Sequence, residues 1–272
     1  MASIEAINAA IAEKAAGSWI ATENPVWRRN PEIVHQGGDR RFGYSPKVVE
    51  RHLKPASDIS ALLKPPPPPA HDWRGHAGVT AVKDQSPDCG ACVAFALCAA
   101  MESDHLIRTR GVADLSEGHL FFCGGGDCVI GWDFPDALYF AQANGVALSA
   151  NHAYDPAAAQ CLPAPAALRL SSWIATDDIQ ERKRKIVEGP VIGGMAVFED
   201  FLAYSSGVYR HVLGAEHGYH AVCIVGYDDA DACWIVKNSW GAAFGEDGYF
   251  RIAYGECEIE AFPFYAIETA TP

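Results

Sequence analysis

No stretch of this 272-residue chain approaches the roughly 18–20 consecutive apolar residues that a membrane-spanning helix requires, so none is expected. Positive charge is scarce: 21 Lys and Arg face 34 Asp and Glu, a formal net charge of −13 with neutral His, and no nucleic-acid partner is expected. Met1-Ala2-Ser3 leads straight into a polar-faced helical pattern, without the features of a secretory signal. What is present in quantity is cysteine and apolar surface. Nine cysteines exceed what a reducing cytosol usually requires, and an odd count cannot pair completely within one chain. An apolar fraction of 49% suits one globular unit with a sizeable core, divisible into two lobes.

The chemistry-bearing residues form a split constellation. Gln85 and Cys92 lie within Gln-Ser-Pro-Asp-Cys-Gly-Ala-Cys-Val-Ala-Phe-Ala, while His220 and Asn238 lie far downstream in Gly-Tyr-His-Ala-Val and Val-Lys-Asn-Ser-Trp-Gly. A cysteine nucleophile needs a base that holds its sulfur ionised, a partner that orients the base, and a donor for the oxyanion formed on attack. Cys92, His220, Asn238 and Gln85 can fill those roles in that order. The apolar run Val93–Met101, free of Gly and Pro, predicts a buried helix opening at Cys92, which sets the sulfur beside a positive helix end and favours the thiolate. A buried, inert cysteine is the ordinary alternative. His220 begins a run of β-formers, with His217 as a competing base, and Asn238 follows the strand-like Trp234–Lys237. Asn238 can fix the imidazole tautomer while Trp240 shields that bond from water. Cys89-Gly-Ala-Cys92 also permits a redox dithiol or half a zinc site, although the chain has no second Cys-x-x-Cys and no βαβ context.

The surrounding residues resemble the papain and cathepsin family of cysteine peptidases. The match runs through Asp72-Trp73-Arg74, Val79–Gln85 and the helix opened by Cys92, then Leu115-Ser116-Glu117, Gly189-Pro190-Val191 and His220 to Gly248-Tyr249. The resemblance implies a two-lobe α+β fold, in which a helical lobe carries the nucleophile and an antiparallel β-sheet or barrel lobe carries the base. It selects His220 over His217. It implies bridges Cys89–Cys128 and Cys123–Cys161, leaving Cys98, Cys223, Cys233 and Cys257 as mostly free, buried thiols. It places Gly131 along the substrate backbone and Gly194 at the pocket for the second residue before the scissile bond, with room for a bulky apolar or aromatic side chain and Phe262 as the far wall. Protein or peptide substrates, no cofactor, no metal and a monomer are expected. The lack of a paired-histidine insertion like that of cathepsin B favours internal cleavage. Departures from the family pattern are one extra residue between Gln85 and Cys92, with Ser86-Pro87-Asp88 in place of a glycine turn, Val93 for tryptophan, Tyr219 before His220, and Ile130 for glycine.

Residues 1–70 read as a separate segment ahead of a catalytic domain at 71–272. Ser3 can cap a helix with Ile4, Ile7 and Ile11 on one face, ended by Gly17. Trp19-Ile20-Ala21-Thr22-Glu23-Asn24 resembles a Trp-x-Ala-x-x-Asn piece of the short cathepsin B prosegment. Residues 30–64 read as irregular and basic, and Pro65–Pro69 as an extended connector. Residues 1–64 carry 9 basic and 7 acidic side chains, leaving 12 and 27 for the remainder, so a net +2 strap faces a net −15 body. The expectation is an inhibitory prosegment across the cleft, loosened when carboxylates protonate, in an extracytoplasmic (secreted, periplasmic or lysosome-like) protein. The competing reading is a catalytically silent binding protein with a permanently covered cleft.

Overall fold

The computed structural model describes residues 2–29, 43–44, 65–85 and 88–272. Helix α1 (Ile4–Lys14) is capped by Ser3, whose hydroxyl accepts from the Ala6 N–H, and ends in a turn in which Ala16 and Gly17 take positive φ. An eleven-residue helix is marginal alone. Ile7, Ala10 and Ile11 are buried in one cluster with Met195 of the sheet and Phe201 of the turn that follows it, and each isoleucine contributes roughly 1.5–3 kcal/mol of burial.

Strand β1 (Trp19–Ala21) follows, and then β2 (Ala70–Asp72) beyond the proline run. The helices come next: α2 (Cys92–Thr109), α3 (Glu117–Gly124) and α4 (Phe134–Ala143). Ser116 and Asp133 cap α3 and α4 through the N–H groups of His119 and Asp136. Strands β3 (Val146–Ala147) and β4 (Ala166–Thr176) lead to α5 (Ile179–Glu188), capped by Asp178. The remaining strands are β5 (Val191–Phe198), β6 (Tyr204–Tyr209), β7 (Glu216–Asp228), β8 (Cys233–Lys237), β9 (Tyr249–Ala253) and β10 (Phe264–Ala270).

The sheet order is β1-β6-β9-β8-β7-β5-β10-β4-β3, with β2 also on β7. All pairings are antiparallel except β6 with β9, so the sheet is mixed rather than purely antiparallel. Two buried clusters divide the fold. One surrounds α2, α3 and α4; the other lies under β5 to β9 and takes in Ile7, Ile11, Trp19, Ala21 and Trp27. The N-terminal segment is therefore built into the sheet lobe's core, which a three-residue strand without alternation did not announce. Asn24 locks the junction: its amide donates to the carbonyls of Leu202 (3.0 Å) and Tyr204 (3.2 Å) and its oxygen accepts from Trp27 N–H (2.9 Å). The expectations for 30–42, for 45–64 and for the loop at Ser86-Pro87 lie outside the described residues.

Candidate active site

Cys92 is the first residue of α2, behind Ala91, so its sulfur sits at the open N-terminal end of an 18-residue helix. His220 sits within β7, paired with Met195 of β5, and Asn238 directly follows β8. The β7–β8 pairing brings Asn238 beside His220, and the imidazole Nε2–H donates to Asn238 Oδ1 at 2.8 Å. That bond leaves Nδ1 as the basic nitrogen. The same Oδ1 accepts from Ser239 N–H at 2.8 Å, and Trp240 stacks on the imidazole with centroids 4.7 Å apart and planes at 28°. The next N–H along β7, that of Ala221, donates to Cys92 Sγ at 3.3 Å, which joins the two lobes at this point. Three groups separated by 146 residues of chain thus meet at the lobe junction, and Trp240 covers the pair of them that must stay dry.

Gln85 is buried beside them. Its N–H donates to Ser239 O (2.9 Å), its carbonyl accepts from Tyr154 O–H (2.8 Å), and its side-chain oxygen accepts from Ser239 O–H (2.7 Å). The Ser239 bond turns the amide nitrogen away, toward Cys89 O at a long 3.4 Å. A weak bond of that length is easily exchanged for one to an anion. Ser239 fixes both Gln85 and Asn238, a role hidden in the sequence because Asn-Ser-Trp-Gly also reads as an ordinary turn.

Burial opposes the helix-end effect expected at Cys92. Burial pushes the Cys92 thiol up to about 12, and the N–H groups of Ala221, Val93 and Cys92 pull it down by less. Cys92 has no exposed surface, and desolvating a thiolate costs more than the helix end returns. In this covered state burial therefore works against the thiolate.

The cover is Gly43–Tyr44. Gly43 bridges to His220, Trp132 N–H donates to Gly43 O (2.7 Å), and Tyr44 N–H donates to Tyr219 O (3.3 Å). The Tyr44 ring, 9% exposed, lies against Phe134 (5.0 Å) and Phe262 (5.7 Å). A Cβ at Gly194 would lie 2.2 Å from Tyr44 Cε1, and one at Gly131 would lie 2.0 Å from Gly43 O. Gly194, Phe262 and Gly131 therefore all touch the strap itself. Tyr44 was not singled out by sequence, although Phe42-Gly43-Tyr44 after Arg40-Arg41 is an aromatic, glycine-kinked patch in a basic stretch.

Cys89 is bonded to Cys128 and Cys123 to Cys161, so the Cys89-x-x-Cys92 dithiol is not available. Cys98, Cys223, Cys233 and Cys257 are free and buried. Among the described residues, no group of three or more His, Cys, Asp or Glu side chains is arranged to hold a metal ion, and no helix is long and apolar enough to cross a membrane.

Behind the site, Lys83 ties together Glu102 (2.8 Å), Glu117 (2.8 Å) and Asp114 (2.7 Å), and Thr80 O–H links Glu102 (2.6 Å) to Lys237 (3.0 Å). Burial raises the Glu117 carboxyl to about 7 despite the neighbouring Lys83 ammonium.

Comparison with known proteins gives one consistent answer. The papain family cysteine protease model matches residues 67–267. Cysteine proteinase EP-B 1 of Hordeum vulgare is 33% identical over 245 residues, covering 82% of this chain and 64% of that protein. Ananain of Ananas comosus is 31% identical over 222 residues, covering 76% of this chain and 62% of its own length, so this chain spans somewhat under two thirds of these relatives. Among solved structures, a recombinant stem bromelain precursor superposes with a TM-score of 0.73 at 29% identity, covering 96% of this chain and 87% of that one. ProCathepsin B S9 from Trypanosoma congolense shares the fold, with a TM-score of 0.79 over 97% of each chain at 24% identity. The α+β fold, the lobe junction and these matches together establish that the chain belongs to the papain family of cysteine proteases.

Proposed function

We propose that this protein hydrolyses peptide bonds within polypeptides through Cys92, His220 and Asn238, and that residues 1–64 form an inhibitory prosegment ahead of a catalytic domain at 71–272. The carrying observation is the 2.8 Å His220–Asn238 bond beside a sulfur held at a helix N-terminus. Once uncovered, the thiol gives its proton to His220 Nδ1, and the thiolate attacks the scissile carbonyl carbon. The oxyanion is held by Cys92 N–H and the Gln85 amide, which exchanges its long bond to Cys89 O. The imidazolium then protonates the leaving amine, and water deprotonated by His220 cleaves the thioester. Asn238 keeps the imidazole in the required tautomer throughout.

A substrate would lie where Gly43–Tyr44 lies, along Gly131, with one side chain over Gly194 and against Phe262. Tyr44 in that pocket supports a preference for aromatic or bulky apolar residues there. Membership of a family whose solved relatives include a bromelain precursor and a procathepsin supports the zymogen reading. The two disulfides favour an extracytoplasmic compartment. The binding-protein alternative is favoured by one observation, the complete burial of Cys92. Incubating the full chain with an unstructured protein after acidification separates the two: fragments from the native chain but none from Cys92→Ala support the peptidase, and no fragments from either supports the permanently covered cleft.

A further inference from the structure

Residues 2–29 and the Gly43–Tyr44 strap are held in different ways. The strap rests on one buried ring and a few backbone bonds. Residues 2–29 pack on the sheet lobe through Ile7, Ile11, Trp19, Ala21 and Trp27, in one buried cluster with Phe201, Tyr204 and Tyr209. Ser18 O accepts from Val208 N–H (2.8 Å) and Thr22 N–H donates to Ala203 O (2.8 Å), so β1 is stitched to the lobe at both ends. Trp19 Nε1–H donates to Arg210 O and Lys14 Nζ to Val212 O, at 3.0 Å each. Asn8 ties α1 to β1, its amide donating to Ala21 O (3.0 Å) and its oxygen accepting from Ala21 N–H (3.1 Å). The lobe is shaped to admit this segment: Gly207 takes φ +97°, and a Cβ there would lie 2.4 Å from Ser18 O and 2.6 Å from Trp19 Cα.

Trp19 begins a line of touching rings that ends on the imidazole. Ring centroids lie 5.0 Å apart from Trp19 to Tyr209, 4.9 Å from Tyr209 to Phe201, 5.6 Å from Phe201 to Trp240 and 4.7 Å from Trp240 to His220. These are favourable spacings for aromatic pairs. The middle of the line is fixed from the side, because Tyr209 O–H donates to Asp200 (2.7 Å) and both Phe201 and Trp240 pack on Phe244 (5.5 and 4.9 Å). Trp19 is 2% exposed and closes the outer end. Trp240 covers the His220–Asn238 bond, and it is backed by a stack whose last ring comes from the N-terminal segment. If residues 2–29 left the lobe, Tyr204 and Tyr209 would lose their apolar cover and the stack its end.

We propose that residues 2–29 are a permanent part of the working peptidase, staying on the sheet lobe without a covalent link when the chain between them and the strap is cut, and that Trp19 is a positioning residue which, through Tyr209 and Phe201, holds Trp240 over the His220–Asn238 bond. This rests on the peptidase reading above and divides its prosegment: Gly43–Tyr44 closes the cleft, whereas residues 2–29 anchor the lobe. Uncovering the site then requires only that the strap be displaced. Removing the Trp19 indole leaves a cavity toward which Tyr209 and Phe201 relax. A shift passed on to Trp240 admits water to the bond that orients the imidazole, which costs turnover rather than substrate affinity.

Retention is tested on the full chain cut at a thrombin recognition sequence inserted after Arg29, by gel filtration at neutral and at acidic pH and denaturing mass measurement of the peak. The N-terminal fragment is expected to elute with the remainder in equal amounts at both pH values, and its loss from the peak overturns the proposal. Positioning is tested on the full chain carrying Tyr44→Ala, with a peptide that places Phe two residues before the scissile bond. The cover competes with substrate, so its closing raises KM and leaves kcat unaltered. With kcat expressed per Cys92 titrated by an epoxysuccinyl inhibitor, adding Trp19→Ala should lower kcat about tenfold with KM equal or lower, and Trp19→Phe should restore kcat to within about threefold. Ile11→Ala, which weakens docking away from the ring stack, should leave kcat within about twofold. A segment that only held the strap would give a lower KM and an unchanged kcat in Trp19→Ala, and one that only stabilised the lobe would give equal falls in Trp19→Ala and Ile11→Ala. Either result overturns the positioning role while leaving the peptidase reading standing. Absence of both turnover and inhibitor label in the Tyr44→Ala chain itself overturns both.

Discussion

Replacing Tyr44 with alanine in the full chain should open the cleft without touching the groups that react. The ring is 9% exposed and packed against Phe134, Phe262 and the bare face of Gly194. A buried aromatic side chain removes about 150 Å² or more from water, which at about 25 cal/mol per Å² is roughly 4 kcal/mol. That figure is an upper bound, because the free strap already buries part of the ring, so about 3 kcal/mol is the working value. If the strap opens and closes as a unit, the open fraction rises on the order of 100-fold. The assay is the second-order rate at which an epoxysuccinyl inhibitor adds to Cys92 at neutral pH, followed by intact mass. In the closed state Cys92 has no exposed surface, so labelling reports the open population. A rate within twofold of the native chain would mean that Tyr44 is not what holds the cover in place.

Three further outcomes follow from the geometry. Asn238→Ala should lower kcat on the order of 10- to 100-fold with little change in KM, since the imidazole loses its 2.8 Å anchor but the cleft keeps its shape; steady-state kinetics checks this. The Glu117 carboxyl, raised from 4.5 to about 7 by burial, is held neutral more strongly by the fold than by the unfolded chain. Its contribution is therefore complete below about 4.5 and lost as pH rises through about 7, and denaturation curves of Glu117→Gln should be flatter than the native chain's across that window. Asp200, fully buried, accepts from Tyr209 O–H (2.7 Å), Val212 N–H (2.8 Å), Leu213 N–H (3.0 Å) and the His211 ring (3.0 Å). It thereby shapes the loop whose carbonyls receive Trp19 Nε1–H and Lys14 Nζ at 3.0 Å each. Asp200→Ala should cost about 3 kcal/mol or more in urea denaturation and expose the N-terminal segment to added protease first.

Cys92, His220 and Asn238 were legible because each sits in a local pattern that states its own secondary structure: an apolar helix after Cys92, β-formers after His220, a strand before Asn238. The disulfides followed from resemblance and the first helix from its Ser3 cap and isoleucine face. What was hidden depends on contacts distant in sequence. The helix-end argument for a thiolate at Cys92 is local, whereas the burial that overrides it comes from Gly43–Tyr44 and from β7 across the lobe junction. Tyr44 owes its place to Gly194, 150 residues downstream, and a glycine gives no sign of which ring will lie on it. β1 is three residues long, too short for alternation to show, and its partner β6 lies far along the chain. In the Asp127–Gly131 turn the sequence marked the Cys128 bridge, Gly131 and the departure at Ile130; the turn's hydrogen bonds and its exposed side chains appear once the chain is folded.

The most direct measurement is the intact mass of the full chain after exposure to an epoxysuccinyl peptide inhibitor at neutral and at acidic pH, with the adduct mapped. Slow labelling is expected at neutral pH, and stoichiometric labelling confined to Cys92 once acid has loosened the basic strap from its acidic body. Absence of label in both conditions, and still in Tyr44→Ala, would contradict the claim that a competent Cys92 lies beneath a removable cover.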